Sequence, residues 1–237
     1  MRYRPTHPVM LAADTGGQAL QPTLASGIAL EVSDDFIIPT YRRLTEAANA
    51  HASAWMAFTS QRARGDIETL RAAYHDTCDA WARAQIIRTG PIVLFLRYER
   101  FAFWPDARNG TQRALDALLA SDDASDLLPE NLATNSVAGQ GLTALERIFY
   151  DGDDPAAALT AMTEEGRSRA DVGLALARNL NTMANEILTD WVVDNGMRDA
   201  IAKGEGWNNL FADSEEAARL FLTDLVGAFQ LMHDVKL

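Results

Sequence analysis

The sequence predicts an all-α protein, an antiparallel helical bundle of the four-helix type, on three observations. Apolar residues recur at helical spacing through at least four long stretches of the 237 residues. Strand-like alternation is nearly absent. The breaks between stretches carry helix punctuation: capping acids, a Gly-Pro pair, and connections rich in Asp, Ala and Gly. Amphipathic helices of about 20 to 30 residues pack best side by side with coiled-coil-like crossings. With 48% hydrophobic residues the chain can build a real core.

The elements follow in order. Residues 1–25 read as a flexible leader: Arg2 and Arg4 precede a short apolar run in the order of a signal peptide, but the run is shorter than the expected ~7 to 15 residues. A single bundle domain is expected over 26–237, with no internal repeat and no interdomain linker. Ile37, Tyr41, Leu44, Ala48, Ala52 and Trp55 form the first stripe, ending near residues 59–62. Leu70, Tyr74, Cys78 and Trp81 form the second, opened by Asp66 as an N-cap and stopped by Gly90 and Pro91. Shorter helices are expected over 111–120 and 129–150. The third stripe is Val172, Leu176, Leu180, Met183, Ile187 and Trp191, its helix starting near Pro155 as a first-turn proline. The last is Ala217, Phe221, Leu225, Ala228 and Met232, opened by Asp213 with Glu216 at capping-box spacing.

Charge narrows the partners. Twenty-one Lys plus Arg against 33 Asp plus Glu give a formal charge of -12, which repels phosphate backbones and anionic lipid at long range. Nucleic acid is a poor partner, and a cation or small ligand a better one. No run reaches the roughly 20 apolar residues of a membrane span. One cysteine, Cys78, excludes an internal disulfide framework and any four-cysteine zinc site. The local signatures of zinc hydrolases, nucleophile-elbow hydrolases, phosphate loops and dinucleotide folds are all missing. His75 and Asp79 have the spacing of a weak surface pair.

Three stretches stand out. Trp81 precedes the Gly90-Pro91 stop, which reads either as a core aromatic followed by a terminator or as a pocket lined by free backbone groups. Residues 97–106, from Arg97 through Trp104 and Pro105 to Asp106, read either as a Trp plug with Asp106 capping the next helix or as an aromatic and arginine wall of a ligand site. The third is residues 139–150. Gly139 and Gly141 each cost about 1 kcal/mol relative to Ala inside a helix, so they call for a reason such as close helix contact. On a helical net Gly139, Thr143, Glu146 and Tyr150 share one face, so Glu146 is drawn toward the interior and needs an arginine, a hydroxyl or a metal. Arg97, Arg100 and Arg147 are the candidate partners.

With these residues on view, the sequence resembles the imelysin family, also called peptidase M75, of exported bacterial helical proteins associated with iron uptake. The likeness spans residues 37–41, 70–81, Gly90-Pro91, 103–106, 140–146 and the closing Asp-Val-Lys-Leu. The family's Gly-x-His-x-x-Glu motif falls on Gly141, Thr143 and Glu146, so the imidazole position holds a threonine. A hydroxyl is a weak ligand for iron or zinc, which leaves Glu146 as the one metal candidate. Family members often continue past Leu237, so a longer two-bundle form stays open.

The resemblance implies a binding or accessory component of iron uptake, periplasmic or attached to the membrane on that side, with iron-uptake components as partners and iron or zinc as the metals to consider. Binding residues are expected among Trp81, Gly90, Pro91, Arg97, Trp104, Asp106, Gly141, Thr143 and Glu146, and no catalytic residue is assigned. The missing catalytic signatures favour a non-enzymatic role. A metallopeptidase of the M75 type and a structural or protein-interaction bundle are the alternatives.

Overall fold

The longest apolar stripes become the helices at the centre of the molecule. In the computed structural model, which describes residues 22–61 and 66–236, α2 (Ile38–Ser60) packs most extensively against α9 (Glu164–Val192) and α3 (Ile67–Ala84). Every residue of the first and third stripes is buried. Because α3 starts so soon after α2 ends and packs along it, the two run antiparallel. Thr77 on α3 donates from its hydroxyl to the Ala47 carbonyl on α2, and Thr45 on α2 does the same to Ala184 on α9. At the centre of α9, Gly173 takes the face of the Trp55 indole, so a close approach explains this mid-helix glycine.

A second layer pairs α1 (Pro22–Val32) with α11 (Ser214–Leu231). One π turn, Ser33–Ile37, joins α1 to α2, and the Ser33 hydroxyl donates back to the Ala29 carbonyl in α1. α10 (Met197–Lys203) links this pair to α9. Short helices α4 (Arg97–Phe101), α5 (Gly110–Leu119), α6 (Pro129–Thr134), α7 (Leu142–Tyr150) and α8 (Pro155–Thr160) cover the remaining side of α9 or pack on one another. Among the described residues the sole β feature is an isolated Trp207–Phe211 bridge. No helix among them is long and apolar enough to cross a membrane.

The caps sit where the sequence puts them. Asp66 accepts from the Glu68 and Thr69 amides, and Asp213 from those of Glu215 and Glu216 at 2.9 Å. Glu216 reaches back to the Ala212 amide at 2.7 Å. Other expectations need correction. The helix expected from Pro155 is interrupted at residues 161–163, and α9 begins at Glu164, with Thr163 as the N-cap whose hydroxyl accepts from the Gly166 amide. The helix expected over 129–150 is three pieces, α6, a 3-10 turn at Val137–Gly139 and α7. Consequently Gly139 and Gly141 lie at a break between helices rather than inside one. α3 ends at Ala84, ahead of Gly90. Of the last stripe, Ala217 and Phe221 are buried while Leu225 and Met232 are exposed. Of the expected leader, residues 1–21 lie outside the described residues, and Pro22 opens α1.

Candidate functional site

The site is built on the segment between α3 and α5. Gly90 has φ +87°, and a Cβ there would meet Met197 and the Trp191 ring. From it the chain turns through a 3-10 segment, Pro91–Leu96, that ends with Phe95 and Leu96 both left-handed, at φ 56° and 57°. Neither is glycine, so each costs on the order of 1–3 kcal/mol unless its surroundings hold it. Both are also apolar and exposed, at 74% and 57%. Burial therefore does not offset their strain.

What holds the tip is α4, immediately after it. Phe101 is fully buried and stacks on Trp81 with centroids 4.6 Å apart. Gly141 crosses behind, so close that a Cβ would collide with the carbonyl oxygens of Arg100 and Phe101. Arg97 and Arg100 are thereby turned inward, 4% and 8% exposed. Arg97 donates to Pro91 O at 3.0 Å, to Asp190 Oδ2 at 2.8 Å and to Glu186 Oε2 at 3.0 Å.

Arg100 is held differently. Its Nε donates to Gln140 Oε1 at 2.7 Å, and its terminal nitrogens donate to Asn179 Oδ1 at 3.3 Å and Phe95 O at 3.5 Å. The network closes on itself: Asn179 Nδ2 donates to Gln140 O at 3.1 Å, and Gln140 Nε2 to Asn135 O at 2.7 Å. Among the described residues Arg100 forms no ion pair. Burial lowers its pKa, with the Arg97 charge adding to the effect and Glu186 opposing it. Both arginines line an open cleft of about 740 Å³ between the Phe95–Leu96 tip, α6 and α9. That size is in the range of small-molecule sites. Arg97 and Glu186 also border a second depression of about 380 Å³ along α9.

Arg100 thus presents a buried guanidinium, fixed by neutral oxygens, at the wall of this cleft. The family model of imelysin, peptidase M75, matches residues 37–237. The chain belongs to the imelysin family. An imelysin-like protein from Psychrobacter arcticum 273-4 shares the fold with a TM-score of 0.65 at 18% identity, over 91% of this chain and 62% of that one. A structure described as an iron-regulated protein A precursor, from Parabacteroides distasonis ATCC 8503, gives 0.70 at 14% identity, over 93% and 62%. The chain thus spans 62% of the length of each. At such identities the likeness speaks for the fold. No curated protein matches the chain.

The residues expected to carry the family motif, Gly141, Thr143 and Glu146, lie at the start of α7 and within it. Gly141 precedes its first turn, with the close backbone crossing as its reason. Thr143 has a buried hydroxyl with no hydrogen-bond partner. Glu146 is exposed rather than drawn inward, and none of the three candidate arginines pairs with it: Arg147 takes Asp151, Arg97 takes the α9 acids, and Arg100 takes neutral oxygens. Its neighbours are on α3. Burial raises the pKa of Tyr74 and pushes the Cys78 thiol up to about 11, and the Glu146 charge adds to both shifts. His75 meets Tyr150 Oη at 2.8 Å instead of the expected Asp79. Among the described residues no group of three or more His, Cys, Asp and Glu side chains is placed to hold a metal ion. Zinc and iron sites take three or four protein donors, so the set around Glu146 does not fit either.

The other expected site residues fall into two groups. Trp81, Gly90 and Pro91 support the cleft from behind, and Arg97 lines it. Asp106 caps α5, accepting from the Gly110 and Thr111 amides at 2.6 and 2.9 Å, which lower its pKa. Trp104 beside it is exposed, so it plugs no core. Gln140 and Asn179 were not anticipated as site residues, and Arg100 was named singly only as a partner for Glu146, although it lies within the 97–106 stretch read as a possible ligand-site wall. A signal for Asn179 was available: it stands three residues after Leu176 and one before Leu180, a polar residue on the buried stripe.

Proposed function

We propose that this imelysin-family chain is an exported, non-enzymatic binding or accessory component of bacterial iron uptake, working on the periplasmic side of the membrane, with the Arg97–Arg100 cleft as its ligand site. The observation that carries the reading is Arg100, a buried cation held by neutral oxygens at the wall of an open cleft. Strain at the exposed Phe95–Leu96 tip supports it, because such strain clusters where ligands are clamped. The iron connection rests on the family and on one structural neighbour, the iron-regulated protein A precursor. The sparse donor set around Glu146 favours a binder over a metallopeptidase, which needs a water-activating metal and a general base.

The test is genetic and calorimetric. Deleting the gene should slow growth under iron limitation and not in iron-replete medium. Wild type and Glu146→Ala should restore growth, while Thr182→Trp, which fills the cleft from an exposed position, should not. Titration of the purified protein with iron(II) and zinc should give no binding that depends on Glu146. Micromolar metal binding abolished by Glu146→Ala would move the site to α7 and reopen the peptidase alternative.

A further inference from the structure

We infer that the cleft recognises a monoanionic carboxylate carried on an apolar body, with Arg100 as the group that takes the carboxylate. The inference rests on reading this cleft as the ligand site. A guanidinium has five N–H donors. Three of those on Arg100 go to Gln140, Asn179 and Phe95, which leaves one on each terminal nitrogen. Those two are the pair that a planar carboxylate engages in a bidentate fork.

The charge is uncompensated as well as the donors. Three neutral oxygens orient a guanidinium without cancelling its charge, and a buried charge lacking a counterion is costly. Arg97, three residues earlier on the same helix, supplies the contrast with its two carboxylates. Glu186 does attract Arg100 electrostatically, but its carboxylate is bound to Arg97 and is about half exposed (48%), so water screens it. A ligand carboxylate on Arg100 would complete what Arg97 already has.

The walls choose among anions. Glu130 and Glu186 also line the cleft, so a doubly charged phosphate meets more repulsion than a single carboxylate. Phe95, Leu96, Ala133 and Met183 give the rest of the ligand apolar surface. The network through Gln140, Asn179 and Asn135 fixes the guanidinium before any ligand arrives, so little ordering is left for binding.

The experiment is calorimetric titration of the full chain at low ionic strength with 3-phenylpropionate, its neutral analogue 3-phenylpropanamide, and inorganic phosphate. The carboxylate should bind at least about 10-fold more tightly than the amide or phosphate, since charge-assisted bonds are roughly twice as strong as neutral ones. Added salt should weaken it. Thr182→Trp should weaken carboxylate and amide alike. Arg100→Gln should erase the carboxylate preference while leaving amide affinity in place. If Arg100→Gln does not fold, the wild-type preference and the Thr182→Trp variant decide. Equal affinity for amide and carboxylate, both blocked by Thr182→Trp, would overturn the ligand class and leave the cleft as a binding site. A preference for phosphate would overturn the class too. Absence of binding by all three probes, or binding indifferent to Thr182→Trp, would overturn both the ligand class and the cleft.

Discussion

His51 is buried among Trp55, Tyr74 and Phe149, an unusual place for an imidazole. Trp55 Nε1 donates to its Nε2 at 3.0 Å, so the neutral ring carries its hydrogen on Nδ1, which has no partner. Burial pushes the His51 pKa down to about 4, against 6.5 for a free side chain. Between those values the unfolded chain binds a proton that the folded one refuses. The stability is therefore complete above pH 6.5 and is lost as pH falls toward 4, by about 2–3 kcal/mol at pH 4.5. Urea unfolding of wild type and His51→Phe at pH 7 and 4.5 isolates that loss from the carboxylates, which both proteins share. The wild type should lose more. Thr143 offers an opposite test. Its buried hydroxyl lacks a partner, so Thr143→Val should leave the melting point unchanged or raise stability by up to about 1 kcal/mol. Destabilisation measured by the same unfolding would mean that the hydroxyl is bonded in solution.

At the scale of elements, α9 depends on one glycine. A Cβ at Gly173 would run into the Trp55 indole, which is fully buried and beside Phe149. Gly173→Ala gains helix propensity of about 1 kcal/mol, yet the ring cannot retreat, and overpacking costs about 1–3 kcal/mol. The net change should be destabilising, read as a lower denaturant midpoint, and the double variant Gly173→Ala with Trp55→Phe should recover part of it. The caps were legible from local chemistry, since Asp66 and Asp213 bond amides two and three residues ahead. The breaks within 129–150 and 155–192 were not. Apolar spacing continues across them, while the termination of α6 and α8 depends on what they pack against, α9 in particular. The two glycines illustrate the same limit: their presence announced a close approach, but only the neighbouring α4 backbone says that Gly141 meets it.

Across the whole molecule, burial is uneven. α2, α3 and α9 enclose the aromatic core, whereas α11 exposes Leu222, Leu225, Val226 and Phe229 and packs mainly on α1. Hydrogen exchange should therefore protect α2 and α9 near the global unfolding free energy and release α11 earlier, because local opening costs least where few apolar contacts are lost. Equal protection of α11 and α9 would show that its exposed face is covered in solution.

The sequence by itself determined the helical class, the principal stripes, their caps and the family likeness, because spacing and capping are properties of contiguous residues. It also singled out Arg97, Trp81, Gly90 and Pro91 as candidates, and in the structure Arg97 lines the cleft while Trp81 stacks on Phe101 behind it. The cleft was decided by the tertiary structure. Gln140 and Asn179 lie 40 and 79 residues from Arg100 along the chain, yet all three share one hydrogen-bonded network. Whether a charge has a counterion depends on which distant elements meet, and here they leave Glu146 at the surface and Arg100 buried with neutral oxygens.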